Sequence, residues 1–332
     1  MARDEARDEA RDEVRDEGRA EGGGKGRGPG GCCAGADEAT RLKKAVQEHY
    51  AARARGAGQS CCGAGSKAPS CCGAGSPAGA SYLEQIGYRP GDLDGVPTGA
   101  SSCSAGCGNP LEGAELKPGE VVLDIGSGGG LDAILAARQV GPAGRVIGLD
   151  FTPDMLDLAR RNVAQAGLAN VEFRHGDAEH MPVADSSIDV IISNCVINLA
   201  PDKRAVFREA CRVLRPGGRL VISDIVTNGI PPGALAGLEA WVECVGGALP
   251  EDEYLGAIRA AGFETVGIWK RADYDTAAVR DALAAAAGGA CCADGDLREA
   301  ARRVVEILER GGRVSSVNVR AVKGGAERGA SR

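Results

Sequence analysis

The chain predicts an α/β fold, doubly wound around a mostly parallel Rossmann-like sheet with N- and C-terminal additions, on three observations. Val121 to Gly130 reads Val-Val-Leu-Asp-Ile-Gly-Ser-Gly-Gly-Gly and resumes as an apolar helical run from Leu131, which describes a buried strand, a tight turn and a packed helix. From Gly119 to Asp224, β-branched runs alternate with helical patterns at the spacing of βαβ units. The 332 residues, 43% of them hydrophobic, are enough for about two domains and a large core.

The composition also excludes classes. A net charge of −7 and a pI near 5.3 give neither a nucleic-acid footprint nor a basic membrane-surface patch. Met1-Ala2-Arg3-Asp4-Glu5 is no secretory signal and no apolar run reaches the length of a spanning helix, so a cytoplasmic location is expected. Reduced thiols then make the 13 cysteines a chemical feature, not a disulfide framework. Eight are adjacent pairs (Cys32-Cys33, Cys61-Cys62, Cys71-Cys72, Cys291-Cys292), a spacing unlike that of zinc ribbons.

Residues 1–38 read as a charged, glycine-rich disordered tail, because Met1 to Glu21 repeats Ala-Arg-Asp-Glu with no apolar face. Residues 39–115 form a cysteine-rich segment. It opens on a helix from Asp37 to Ala54, in which Leu42, Ala45, Val46, His49 and Tyr50 share a face, and passes through a repeated Ser-Cys-Cys-Gly-Ala-Gly-Ser. Cys61, Cys62, Cys71 and Cys72 lie in that repeat, as soft-ligand sites or as variable linker. A helix or strand starts at Tyr82. The loop Gly95 to Pro110 then carries Cys103 and Cys107, the latter between two glycines that leave its thiol open.

Residues 116–228 form the core. Its strands end at Asp124, Asp150, His175, Asn194 and Asp224, and its helices cover Leu131 to Val140, Thr152 to Gly167 and Asp202 to Leu214. Glycines at 126 and 128 let a ligand meet free N–H groups at the helix start. Asp124 just before them would repel a pyrophosphate and suits an ammonium; Asp150, about twenty residues on, can accept ribose hydroxyls. Residues 229–332 complete the sheet. They hold Trp241 to Leu249, a helix from Pro250, a strand near Glu264 to Trp269, helices over Thr276–Ala287 and Leu297–Arg310, and a closing strand Val314–Val322 suited to an antiparallel hairpin. In a doubly wound sheet ligands occupy the crevice where the strand order reverses, beside the first strand, and the residue just past the fourth strand faces that crevice. Here it is Cys195, preceded by polar Asn194. Cys211, on a helix among apolar residues, is a small core residue, and His175 and His180 serve structure.

Three loop thiols around one crevice point to a soft atom, and trivalent arsenic fits. The glycine loop resembles that of S-adenosylmethionine-dependent methyltransferases. With Gly106-Cys107-Gly108, Ser193 to Leu199, Pro201-Asp202-Lys203 and Trp241 to Leu249, the chain resembles the arsenite S-adenosylmethionine methyltransferases from about Leu42 to Glu264. That resemblance implies As(III) bound by Cys107, Cys195 and Cys244. An upstream cysteine, best Cys72 with Cys71 close behind, would also bind arsenite and enter a disulfide during turnover. It implies S-adenosylmethionine held by Asp124, Gly126, Ser127, Gly128, Asp150, Phe151, Met155 and Asn194, with Asp177 and Ala178 beside the adenine. The implied reaction transfers methyl groups to thiolate-bound As(III), with a dithiol reductant such as thioredoxin or glutathione, in a monomer. Two other readings remain open: a methyltransferase for a small organic acceptor such as a quinone or sterol, and a non-enzymatic protein that sequesters arsenic or soft metals.

Overall fold

The computed structural model describes residues 34–56, 80–231, 246–275, 277 and 305–325. Among them the strands are β1 (Val121–Ile125), β2 (Arg145–Asp150), β3 (Val171–His175), β4 (Ile188–Asn194), β5 (Leu214–Asn228), β6 (Leu249–Pro250), β7 (Phe263–Asp273) and β8 (Arg313–Lys323). The helices are α1 (Ala34–Gly56), α2 (Ala80–Gln85), α3 (Thr98–Ser102), α4 (Pro110–Ala114), α5 (Leu131–Val140), α6 (Pro153–Gln165), α7 (Lys203–Val213) and α8 (Glu251–Ala260).

The sheet runs β3-β2-β1-β4-β5-β8-β7, with the short β6 paired to β5. Its first five strands are parallel and β8 is antiparallel to both neighbours, so the closing strand inserts between β5 and β7 as a hairpin partner. The doubly wound expectation therefore holds. Strand order reverses between β1 and β4, which opens the crevice at their carboxyl ends. The central strands are apolar runs buried on both faces: Val122, Leu123 and Ile125 in β1, and Val190, Ile191 and Ile192 in β4, are each at most 1% exposed.

Core helices begin where the sequence places them. Pro153 occupies the first turn of α6, and the Asp202 carboxylate caps α7 by accepting from the Ala205 N–H at 3.0 Å. Elsewhere boundaries moved. Helix α1 extends three residues further back than Asp37, a five-residue helix α3 interrupts the expected loop from Gly95 to Pro110, and β5 is longer at both ends, because Leu214 pairs with Ile188 of β4 and β8 pairs with β5 as far as Asn228. Trp241 to Cys244, most of Thr276–Ala287, and Leu297–Arg310 up to residue 304 lie outside the described residues; residues 305–309 are helical. No described helix is long and apolar enough to cross a membrane.

On one face of the sheet, α7 and α8 close the larger core through Phe207 and Tyr254, whose rings meet edge to face with centroids 5.4 Å apart. Phe207→Ala is expected to lower stability by about 3–5 kcal/mol, measured as a fall in the urea midpoint at unchanged slope.

Candidate active site

The crevice floor is the turn after β1. Gly126, Gly128 and Gly130 all have positive φ, at 72°, 49° and 88°. A side chain on Gly126 would also overlap Val196, which follows Cys195 across the crevice. Asp150 at the end of β2 accepts from the Gly128 N–H at 2.9 Å through one oxygen and from the Thr152 N–H at 2.8 Å through the other. Phe151, Met155, Leu131, Asn194 and Tyr50 of α1 line the remainder. Gln47 of α1 donates to the Phe151 carbonyl at 2.8 Å, holding the helix over this wall.

Three carboxylates converge here. Asp124 is 2% exposed, and burial, then the charges of Asp132 and Asp150, push its carboxyl well above the usual carboxylate range. Asp132, in the first turn of α5, is pushed by burial up to about 6, with hydrogen bonds from Tyr88 and Asn194 restraining the rise. Burial raises Asp150 as well, against the opposing bonds from Thr152 and Gly128. Asp124 Oδ2 and Ser127 Oγ, in the crevice lining, are among the buried polar atoms of the described residues without a hydrogen-bond partner. Orphaned acceptors among crowded carboxylates match a cationic ligand with donor groups.

At the lip, β4 ends on Asn194 and the chain turns through Cys195 at φ 59°, a left-handed conformation that costs a non-glycine residue about 1–3 kcal/mol. The Cys195 N–H donates to the Ser223 carbonyl at 2.8 Å, so pairing with β5 continues through the turn. Its sulfur is joined to that of Cys107 in a disulfide, with Cα atoms 5.8 Å apart.

Cys107 reaches this point because its loop is fastened on every side. Asn194 Oδ1 accepts from the N–H groups of Cys107 at 3.0 Å and Gly108 at 3.3 Å. Asn194 Nδ2 donates to the Gly108 carbonyl at 2.7 Å and the Tyr88 hydroxyl at 3.0 Å. Ser316 of β8 donates to the Cys107 carbonyl at 2.7 Å, and Tyr82 to that of Gly106. A Cβ on Gly106 would overlap the Asn194 amide, and one on Gly108 would lie 2.8 Å from Ser223, which is why glycines flank the cysteine. The glycines admit close packing and do not open the thiol: Cys107 is only 9% exposed.

The structure thus brings together Cys107, Cys195, Asn194, Asp124, Gly126, Ser127, Gly128, Asp150, Phe151 and Met155 around one crevice. Asp177 and Ala178 are absent from its lining. Asp177 pairs instead with Lys43 of α1 at 2.5 Å, and Ala178 packs on the core. Cys72, Cys71 and Cys244 lie outside the described residues. Sequence reasoning missed Tyr88, whose hydroxyl donates to Asp132 at 2.6 Å, and it missed Asp224. One Asp224 carboxylate oxygen and the two sulfurs lie within 4.8 Å of one another; burial pushes this carboxyl up to about 6. Asp132 carries a legible signal as an acid in a helix's first turn, and Asp224 as an acid in a buried strand.

A sheet that reverses its strand order beside this glycine turn and carboxylate cluster defines a Rossmann-like methyltransferase domain. A family described as a methyltransferase domain matches residues 116–319. An arsenite methyltransferase of Halobacterium salinarum is 47% identical over 229 residues, covering 68% of this chain and 58% of the relative. A demethylmenaquinone methyltransferase of Listeria monocytogenes is 40% identical over 116 residues, 35% of this chain and 49% of that one. The crystal structure of an arsenic (III) S-adenosylmethionine methyltransferase from Chlamydomonas reinhardtii superposes with a TM-score of 0.53 at 30% identity, covering 76% of this chain and 75% of that chain. The chain belongs to the arsenite methyltransferase family. It spans less than two thirds of the length of the curated relatives described.

The clasp on the cysteine loop is open to test. Asn194→Ala leaves two N–H donors and a carbonyl unpaired, and each buried polar group so stranded costs about 1–3 kcal/mol. Air oxidation of this variant is expected to yield less Cys107–Cys195 disulfide than the wild type, quantified by peptide mass spectrometry.

Proposed function

We propose that the protein is an arsenite methyltransferase, in which Cys107, Cys195 and Cys244 hold As(III) as thiolates at the lip of a cofactor crevice. The observation that carries this reading is the meeting of Cys107 and Cys195 from separate segments at the end of β4, where a doubly wound sheet presents its acceptor to its cofactor. Ala248, four residues beyond Cys244, packs against the cluster that contains both sulfurs, which supports the third thiolate. Cys72 is assigned to the redox part of the cycle on the family resemblance alone.

The residues at the crevice fit S-adenosylmethionine, which when bound supplies an electrophilic methyl group. Asp124, with its unpartnered oxygen beside Asp132, receives the ammonium. Asp150 receives ribose hydroxyls through the acceptor positions left after Gly128 and Thr152. Ser127 and the glycine turn would hold the amino acid end, and Phe151 and Met155 line the crevice as an apolar wall. Asp177 and Ala178 retain an adenine-side role only if α1 gives up the Lys43 ion pair.

Trivalent arsenic on thiolates keeps a lone pair on its open side. Its attack on the methyl carbon would form the As–C bond as the sulfonium S–C bond breaks, and would release S-adenosylhomocysteine. It would also carry arsenic to the pentavalent state, from which two thiols return it to trivalent by becoming a disulfide. No proton is removed in the attack, so the residues contribute chiefly orientation. The left-handed turn at Cys195 and the Asn194 clasp fix the two sulfurs before arsenic arrives. As a disulfide the pair cannot ligate arsenic; two external thiols must first reduce it, becoming a disulfide themselves. A dithiol such as thioredoxin, or glutathione, fills that role in a reducing cytoplasm, and the protein acts as a monomer.

Cys195→Ser is expected to retain S-adenosylmethionine affinity and to lose methylated arsenic, followed by chromatography after incubation with arsenite, cofactor and thiol. Unchanged turnover would remove the assignment. Methylation of organic acceptors alone would favour the quinone or sterol reading, and tight arsenite binding without product would favour sequestration. The carboxylate cluster adds a pH signature. A cationic ligand favours ionised carboxylates, so below pH 6 its binding must release the Asp132 proton and is weakened. Cofactor affinity is therefore expected to rise from pH 5 to 7 in calorimetric titrations, and to rise less steeply in Asp132→Asn.

A further inference from the structure

Asp224 is not needed for anything described so far. It is 1% exposed, in mid-strand on β5, and one of its oxygens lies within 4.8 Å of both Sγ atoms. Its carboxylate accepts from the Ile225 N–H at 3.0 Å, from the Tyr254 hydroxyl at 2.9 Å, and from the N–H of Asn198. An ionised carboxylate offers about four lone-pair positions, so roughly one acceptor position remains. The charge of Lys203 favours the ionised carboxylate, which two anionic thiolates would repel; a donor placed between them and the carboxylate turns this repulsion into a binding site.

We propose that Asp224 is a specificity-determining residue that accepts a hydrogen bond from the hydroxyl of half-captured arsenite. The inference rests on the arsenic reading above. Arsenite, As(OH)3, exchanges two hydroxyls for the thiols of Cys107 and Cys195. Two As–S bonds form and two As–O bonds break, each departing hydroxide leaves as water with the proton of one thiol, and arsenic keeps its oxidation state. The product still carries one As–O–H group, until a third thiol displaces it as water in the same way. An O–H donated to a carboxylate bridges about 2.5–2.7 Å between oxygens, which matches a carboxylate within 4.8 Å of the sulfurs yet not bonded to them.

The geometry selects among substrates. Methylarsonous acid, CH3As(OH)2, gives up both hydroxyls to the same two sulfurs and has no O–H left to donate. Asp224 therefore favours the unmethylated substrate over the product of its first methylation.

The test compares kcat/KM for arsenite and for methylarsonous acid in the full chain, wild type against Asp224→Asn, with S-adenosylmethionine and a dithiol present. A hydrogen bond to a charged acceptor is worth about 1.5–3 kcal/mol. The variant is expected to lose about ten- to a hundredfold on arsenite and less than about threefold on methylarsonous acid. Asp224→Ser, measured alongside, is expected to shift the ratio the same way, so the result does not hang on the folding of one variant. Equal losses on both substrates would show a purely structural carboxylate and overturn the proposal, as would no loss on arsenite. If the wild type methylates neither substrate, the underlying functional reading is what fails.

Discussion

The side-chain amide of Asn194 is the clasp between the Cys107 loop and the end of β4, beside the bonds that Ser316 and Tyr82 make to the same loop. Its oxygen takes the N–H groups of Cys107 and Gly108, and its nitrogen reaches the Gly108 carbonyl and the Tyr88 hydroxyl. Asn194 is the last residue of β4, so this amide stands at the switch point of the sheet. Without it the loop around Cys107 would be held by the Ser316 and Tyr82 bonds to its carbonyls, with its N–H groups unpaired. With it, one sulfur arrives from outside the βαβ core beside another rooted in the core. The glycines at 106 and 108 and the left-handed backbone of Cys195 are the local concessions this contact requires.

The same amide connects the cysteines to the electrostatics of the crevice. Asp132 accepts from Tyr88 and lies 3.5 Å from Asn194 Nδ2, while its charge bears on Asp124. Carboxylates this buried are raised because water no longer solvates their charge, and Asp124 is raised further by the charges of Asp132 and Asp150. A cation relieves both penalties at once, so the pocket is disposed toward a cationic ligand. Ligand end and acceptor end are linked through atoms in contact, and a disturbance of Tyr88 or Asp132 is felt on both sides.

The βαβ frame was legible because its signals are local. Apolar runs at Val121–Ile125 and Ile188–Asn194, glycines after β1 and a proline opening α6 each need only their neighbours in sequence. Cys195 was legible too, since topology alone puts the residue after β4 at the crevice. The rest depends on tertiary partners. Asn194 reads as a polar neighbour of the cofactor, and nothing in its surroundings shows that its amide is spent on a loop 86 residues away. Asp177 follows β3 at the position that the family resemblance assigns to the adenine, yet Lys43, 134 residues earlier, has its carboxylate. Asp224 and Tyr254 sit within unremarkable strand and helix patterns and become informative only once β5 lies beneath the two sulfurs.

Anomalous scattering from arsenic, in a crystal of the reduced full chain grown with arsenite and S-adenosylhomocysteine, tests the central claim most directly. The expected result is an arsenic atom bonded to the sulfurs of Cys107 and Cys195, its open side turned toward the sulfur of the bound nucleoside. Arsenic found only on the paired cysteines elsewhere in the chain, with Cys107 and Cys195 unoccupied, would contradict it.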